Sequence, residues 1–281
     1  MSIILDGTSG INTPNTFAYK NLLIDAGFTI NQRGYVSAAT LASGAYGHDR
    51  WKAGASGGDY SFTQLASNTQ ITIASGKSLI QVVEDKNVSG TSYVLSWEGT
   101  AQARYAVNSA TPAGSYAASP IVITGQTAGT TMSVEFNAGT LSKPQLELGA
   151  VATSFDVRPY GTELALCQRY YESTFSIGSA PVQNGGGTNV LRISQTAAAG
   201  APCRGFTWIY KTTKRDTPST ITSYNPSAAN ANVRNFTRSN DATISGVTGI
   251  NTIGITFSFT SSAGSAVGDD NGVGFSADAE L

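Results

Sequence analysis

Charge is scarce in this sequence. Of its 281 residues only 12% are Asp, Glu, Lys or Arg, about half the share an ordinary soluble domain carries. Seventeen basic and 18 acidic residues leave a net charge of −1, so there is no basic excess to displace counterions from a nucleic acid or to hold an anionic membrane surface. Nucleic acid is excluded as a main partner. Membrane insertion is excluded with it, because no apolar run approaches the roughly 20 residues that span a bilayer. Cysteine is nearly absent: Cys167 and Cys203 are too few for a disulfide framework, and with no CxxC pair or Cys/His cluster they offer no zinc site. Both are expected to be buried, reduced thiols. The opening Met1-Ser2-Ile3-Ile4-Leu5-Asp6 lacks the basic and long apolar regions of a signal peptide, which predicts a soluble product made in the cytoplasm.

What replaces charge is neutral polarity, carried by Ser, Thr, Asn, Gln and 31 Gly. The length suits two ordinary domains. Short strands with period-two alternation are predicted at Tyr60-Ser61-Phe62, Gln70-Ile71-Thr72-Ile73, Tyr93-Val94-Leu95-Ser96-Trp97, Ala103-Arg104-Tyr105-Ala106-Val107 and Met132-Ser133-Val134-Glu135-Phe136. Gly57-Gly58, Ser75-Gly76, Asn87-Val88-Ser89-Gly90 and Gly125 punctuate them as turns of an all-β sandwich do. Thr162 to Tyr171 reads instead as a short helix, capped by Thr162, with Glu163 at its positive end and Leu164, Cys167 and Tyr171 on one face. Strands resume at 190–193, 206–210, 253–259 and 273–275. The expected organisation is a leader over residues 1–20, a sandwich over 21–157, and over 158–281 a linking helix followed by a C-terminal β-sandwich domain.

Chemistry is hard to find. The single histidine, His48 in Gly47-His48-Asp49-Arg50-Trp51, has no GxSxG nucleophile elbow to serve and reads as a turn residue beside a core tryptophan. Glu84-Asp85, Glu135 and Glu147 could by residue type supply a glycosidase pair, but read as solvated strand ends. Gly185-Gly186-Gly187 is not followed by Lys-Ser/Thr and opens no helix, so it is no phosphate loop. Asp269-Asp270-Asn271-Gly272 lacks the spaced ligands of a calcium loop and reads as a tight turn. No cofactor, metal or catalytic residue is assigned. Sugar recognition is the chemistry this composition fits, with flat rings against apolar sugar faces and amides, hydroxyls and arginine on the hydroxyls. The candidates are Tyr224, Arg234, Phe236 and Arg238, in a segment from Ser223 to Asp241 whose apolar spacing is too irregular for a buried strand, and Tyr46 in the first half.

Several strings together carry a family resemblance. Asn21-Leu22-Leu23-Ile24-Asp25-Ala26-Gly27-Phe28-Thr29-Ile30-Asn31-Gln32-Arg33-Gly34, then Asp49-Arg50-Trp51, then Lys143-Pro144-Gln145-Leu146-Glu147-Leu148-Gly149 with Ala152-Thr153-Ser154-Phe155, resemble the jelly-roll domain of tail fibre proteins of tailed bacteriophages. That domain is similar in outline to carbohydrate-binding modules. Arg158-Pro159-Tyr160-Gly161, the helix and the closing Phe275 to Leu281 are similar to the same family, and Ile4 to Ile11 is similar to the segment that often precedes it. The resemblance implies a homotrimeric fibre of the virion tail, joined through residues 1–20 to an upstream tail or baseplate protein and binding a host surface polysaccharide without cleaving it. The alternatives are a capsule- or lipopolysaccharide-degrading tailspike enzyme and a purely structural fibre or assembly subunit. Tailspike enzymes resemble long β-helices, for which this chain is short.

Overall fold

The computed structural model describes residues 4–6, 10–12, 20–66 and 68–281. Within the expected leader these include β1 (Ile4–Asp6) and β2 (Gly10–Asn12), an antiparallel pair; the remainder up to residue 19 lies outside the described residues. The chain divides into two compact units. The first comprises Met1–Thr29, Ser37–Ala45 and Trp51–Tyr160, the second Ile30–Val36, Tyr46–Arg50 and Gly161–Leu281. Each is a β-sandwich built from antiparallel strands, and one short α-helix accompanies them among the described residues.

The first unit contains β3 (Lys52–Ala53), β4 (Tyr60–Phe62), β5 (Ile71–Ile73), β6 (Leu79–Val83), β7 (Ser92–Glu98), β8 (Ala103–Ala106), β9 (Ala113–Ala117), β10 (Ile121–Thr124), β11 (Met132–Phe136) and β12 (Gly139–Leu148). They form two five-stranded sheets, ordered β10-β7-β12-β5-β4 and β3-β6-β11-β8-β9. The alternation of β11 explains its place. Met132, Val134 and Phe136 share one face by the period of two, and Ser133 and Glu135 share the other. The core is aromatic: Trp51 stacks on Phe28 at 4.9 Å and meets the edge of Phe136 at 5.9 Å, while Trp97 meets Phe136 at 5.2 Å. Each indole N–H is satisfied, Trp51 by the Asp25 carbonyl at 2.9 Å and Trp97 by that of Ala101 at 2.8 Å. β12 passes through Lys143-Pro144, although proline has no N–H to give a ladder. It tolerates them because its register shifts between Ser142 and Gln145, and a bulge asks no ladder bond of proline.

The second unit holds α1 (Tyr160–Gln168), β13 (Tyr171–Ser173), β14 (Leu191–Ser194), β15 (Pro202–Ile209), β16 (Thr220–Tyr224), β17 (Val233–Asn235), β18 (Asn240–Thr248), β19 (Gly254–Thr260) and β20 (Asp270–Asp278). β20 is the spine, pairing with β13, β14, β16 and β17. The eight-stranded sheet continues from β17 through β18 and β19 to β15. Val273, Phe275 and Ala277 of β20 face Ile255, Phe257 and Phe259 of β19 in one core. There Trp208 stacks on Phe275 at 5.9 Å and Phe257 lies 4.8 Å from the same ring.

Two expectations are corrected here. The helix stops at Gln168 rather than reaching Tyr171, and it buries Glu163, Cys167 and Gln168, leaving Leu164 only partly covered. Residues 171–173 gain a ladder with residues 276–278 and a buried ion pair of Glu172 with Lys214, which another helical turn would forgo. The segment from Ser223 to Asp241 is irregular only in part: residues 225–232 and 236–239 lie outside strands, as expected, but between them runs the short strand β17. Its alternation is hidden because an inward slot is filled by a polar residue. Asn235 is fully buried, with its amide donating to Ser265 at 3.3 Å and Asp269 at 3.1 Å. Cys167 and Cys203 are both buried and free.

Candidate functional site

In the first unit, β11 pairs with β8 so that Glu135 lies directly opposite Arg104. Opposite charges at facing positions attract across a sheet, and Arg104 Nε donates to Glu135 Oε2 at 2.6 Å. Ser78, just before β6, donates its hydroxyl to Oε1 at 2.6 Å. The carboxylate is therefore buried yet satisfied on both oxygens. Gly54 comes over it closely: a Cβ there would stand 2.0 Å from Ser78 Oγ and 3.0 Å from Glu135 Oε1, so only glycine allows this approach.

β9 supplies the aromatic wall. Its pairing with β8 is irregular between Ala103 and Tyr105, and Tyr116 ends with its ring 4.8 Å from the Arg104 guanidinium carbon. Burial raises the Tyr116 hydroxyl above the usual tyrosine range, and the nearby Glu135 carboxylate adds to this. The hydrogen bond that Arg104 donates to Glu135 holds its guanidinium still more firmly charged. Asn137 is pinned by its Oδ1, which accepts the Gln102 N–H at 2.8 Å. Lys77 donates to the Ser56 carbonyl at 2.9 Å and lies 3.5 Å from Asp59. Lys77, Ser78, Arg104, Tyr116, Glu135 and Asn137 line an open groove of about 320 Å³, at the small end of ligand pockets. A ring, a guanidinium held to Glu135 through its Nε, an amide, a hydroxyl and an ammonium can together stack on a sugar face and exchange hydrogen bonds with its hydroxyls. The lining has one carboxylate, and Arg104 and Ser78 already hold it.

No family model and no curated protein matches the sequence. Among solved structures, two of discoidin II from Dictyostelium discoideum show weak similarity: the wild-type protein at 9% identity, covering 94% of this chain and 93% of that one with a TM-score of 0.24, and the native recombinant protein at 10%, covering 92% and 93% with a TM-score of 0.22. Scores this low do not amount to a shared fold.

The residues singled out in sequence lie in the second unit and fall into separate places. Tyr224 ends β16, meets Phe175 edge-on at 5.2 Å and places its hydroxyl 3.1 Å from Ser276 Oγ. Phe236 lies against β20, where a Cβ on Gly272 would come within 2.7 Å of its ring, and the Arg192 guanidinium covers it at 3.8 Å. Arg238 pairs with Asp269 at 3.0 Å, and this hydrogen bond leads in holding the Asp269 carboxyl down to about 2. Arg234 pairs with Asp241 at 3.1 Å. Phe236 and Arg238 thus belong to one end of β20, with Tyr224 further along it. Tyr46 donates its hydroxyl to the Leu281 carbonyl at 3.0 Å beneath the Arg33 guanidinium at 4.7 Å.

The carboxylates weighed as a glycosidase pair need correction. Glu84, Glu135 and Glu147 are buried rather than solvated. Glu147 accepts from Thr153 Oγ1 at 2.7 Å and from Gln145 at 2.8 Å, partners that make its burial affordable. His48 is likewise fully buried. Asp269 sits in a turn, but Asp270, Asn271 and Gly272 already belong to β20, and no group of three or more metal-ligating side chains occurs among the described residues. The sequence reading missed Arg104 and Tyr116 as site residues. Two alternating strands each bearing a charge on the polar face were visible, but the register that brings Arg104 to Glu135 was not.

Proposed function

We propose that this chain is a receptor-binding tail fibre protein of a tailed bacteriophage that binds a host surface polysaccharide through the Tyr116–Arg104–Glu135 groove, without cleaving it. The observation that carries the binding reading is the groove itself: one aromatic ring beside a guanidinium, an amide and an ammonium, over a carboxylate fixed before any ligand arrives. Strands β5 to β12 support the family resemblance, because β10-β7-β12-β5 and β6-β11-β8-β9 are the two sheets of a jelly roll in their expected order. Glycosidic cleavage needs two carboxyl groups flanking one bond, and the groove lining offers Glu135 alone. The assignment to a phage tail and to a trimer rests on the sequence resemblance.

In this reading each sugar contact is weak, and three copies on a fibre engage together, since tethering raises avidity by about 10² to 10⁴. Light scattering is expected to give about three times the 29.1 kDa chain mass; a monomer at micromolar concentration would remove the fibre reading.

The binding test is a calorimetric titration with oligosaccharides prepared from the polysaccharide of a cell to which the protein attaches. Tyr116→Ala is expected to weaken binding at least about tenfold, as loss of a stacked ring and its hydrogen bond should, with unchanged thermal unfolding. The Tyr224→Ala, Phe236→Ala, Arg238→Ala triple variant is expected to bind as the parent does. The reverse pattern would move recognition to the second unit, and release of reducing ends by the parent protein would make it an enzyme.

A further inference from the structure

The second unit carries a solvent-facing sheet surface that the groove reading does not use. Along β19 the side chains alternate strictly. Ile255, Phe257 and Phe259 enter the core, and Thr256, Ser258 and Thr260 point to the opposite face. β18 adds Ser245, Gly246 and Thr248 to that face, and β15 adds Pro202 and Arg204, enclosing an open depression of about 540 Å³.

Its concavity has a cause in the register. The pairing of β15 with β19 shifts between Cys203 and Phe206, and that of β18 with β19 shifts between Ile244 and Gly246. Both irregularities face residues 257–259, so the strands on either side bend at one level. Gly246 adds no side chain there, and Ser245 and Ser258 stand with their hydroxyl oxygens 3.2 Å apart at the floor.

The charge of this face is unbalanced. Arg192, Arg234 and Arg238 of the same unit each hold a carboxylate, at 2.6, 3.1 and 3.0 Å. Arg204 is exposed, no acidic residue lines the depression, and no carboxylate pairs with Arg204 among the described residues. A guanidinium without an anion, standing at the rim of a bed of hydroxyls, matches a ligand that brings one anionic group and several hydroxyls of its own. We infer that this face binds the anionic group of a saccharide, a uronate carboxylate or a sugar phosphate, with Arg204 pairing the anion and Ser245, Thr256, Ser258 and Thr260 exchanging hydrogen bonds with the sugar hydroxyls. The site belongs to the second unit and shares no residue with the first-unit groove. An exposed ion pair contributes little by itself, so the affinity is weak and the hydroxyls decide the specificity.

The test follows the Arg204 side-chain N–H signal and the Gly246 amide by NMR on the full chain during titration with methyl glucuronide, glucose 1-phosphate, inorganic phosphate and neutral methyl glucoside. Saturable shifts with one or both charged sugars are expected, and which of them binds more tightly identifies the anion. Arg204→Gln is expected to reduce that affinity by about fivefold, the reach of one exposed ion pair, down to the level of methyl glucoside. Ser258→Ala with Thr256→Val is expected to weaken the charged sugars while leaving inorganic phosphate unchanged, and Arg104→Ala to leave every shift in place. No saturable shift at tens of millimolar sugar overturns the inference. So does equal binding of inorganic phosphate and glucose 1-phosphate with no effect of the hydroxyl variants, since that is an adventitious anion only.

Discussion

Replacing Glu172 by Ala is expected to cost about 3 to 5 kcal/mol of folding free energy, the usual result of stranding one member of a buried ion pair. Glu172 and Lys214 both have fully buried side chains, and Lys214 Nζ lies 3.0 Å from Glu172 Oε2. The ammonium also donates to the Gln168 carbonyl at 2.5 Å and faces the Tyr210 ring at 4.7 Å. The carboxylate in turn accepts the Lys211 N–H at 3.0 and 3.1 Å. Burial already draws the Lys214 pKa down against the pull of Glu172, so without that partner the lysine must shed its proton or the second unit must open. Urea unfolding measures the loss. Lys214→Met together with Glu172→Leu is expected to recover most of it, because the desolvation cost of both charges disappears. A loss below about 1 kcal/mol for Glu172→Ala, the scale of a solvent-exposed pair, would mean that water reaches the site.

Stability is also expected to fall as pH rises from about 4 to about 7, and the group responsible is Asp49. Its carboxylate is buried, receives the Gln32 backbone and side-chain N–H groups at 3.1 and 2.5 Å, and lies 3.8 Å from Arg33. Burial pushes its carboxyl up to about 7 against the pull of Arg33 and Gln32, with the Glu280 carboxylate adding to the rise. Below about 4 the folded and unfolded chains both hold this proton. Between about 4 and 7 only the folded chain does, so each step up in pH favours unfolding, and above about 7 the effect levels off. A displacement of about 3 pH units corresponds to roughly 4 kcal/mol. Thermal unfolding across this range, compared between the parent and Asp49→Asn, isolates the contribution. The parent should lose stability that the variant keeps, and parallel curves would show that Asp49 is ionised throughout.

The elements legible in the sequence were those with one polar face, whether or not water reaches it. The strand at Met132 to Phe136 was readable because Ser133 and Glu135 interrupt its apolar row. Leu79–Val83 was not, because an Ile-Gln-Val-Val run buried on both faces shows no alternation. Ala113–Ala117 was hidden by its composition, a Gly-Ser pair in a largely exposed edge strand, and Gly139–Leu148 by its proline. The candidate groove was less legible than the fold. Ser78, Arg104, Tyr116 and Glu135 sit on four different stretches of chain, and only register unites them. Glu135 drew notice for its chemistry, but burial beside Arg104 rather than exposure at a strand end is what gives it a place. Tyr224, Phe236 and Arg238 drew notice because polar neighbours marked a surface loop, and Phe236 and Arg238 do lie in the turn between β17 and β18, whereas Tyr224 ends β16. Those neighbours are partly the buried hydrogen-bonding groups of a strand, Asn235 first among them.

The central claim, that the first-unit groove receives a sugar, is tested most directly by a crystal structure of the protein with an oligosaccharide from its target surface. The account predicts a pyranose face against the Tyr116 ring, with ring hydroxyls within hydrogen-bonding reach of the Arg104 terminal nitrogens and Asn137 Nδ2, and Glu135 unmoved. A saccharide seated instead beside Phe236 and Arg238, with the groove empty at saturating ligand, would contradict it.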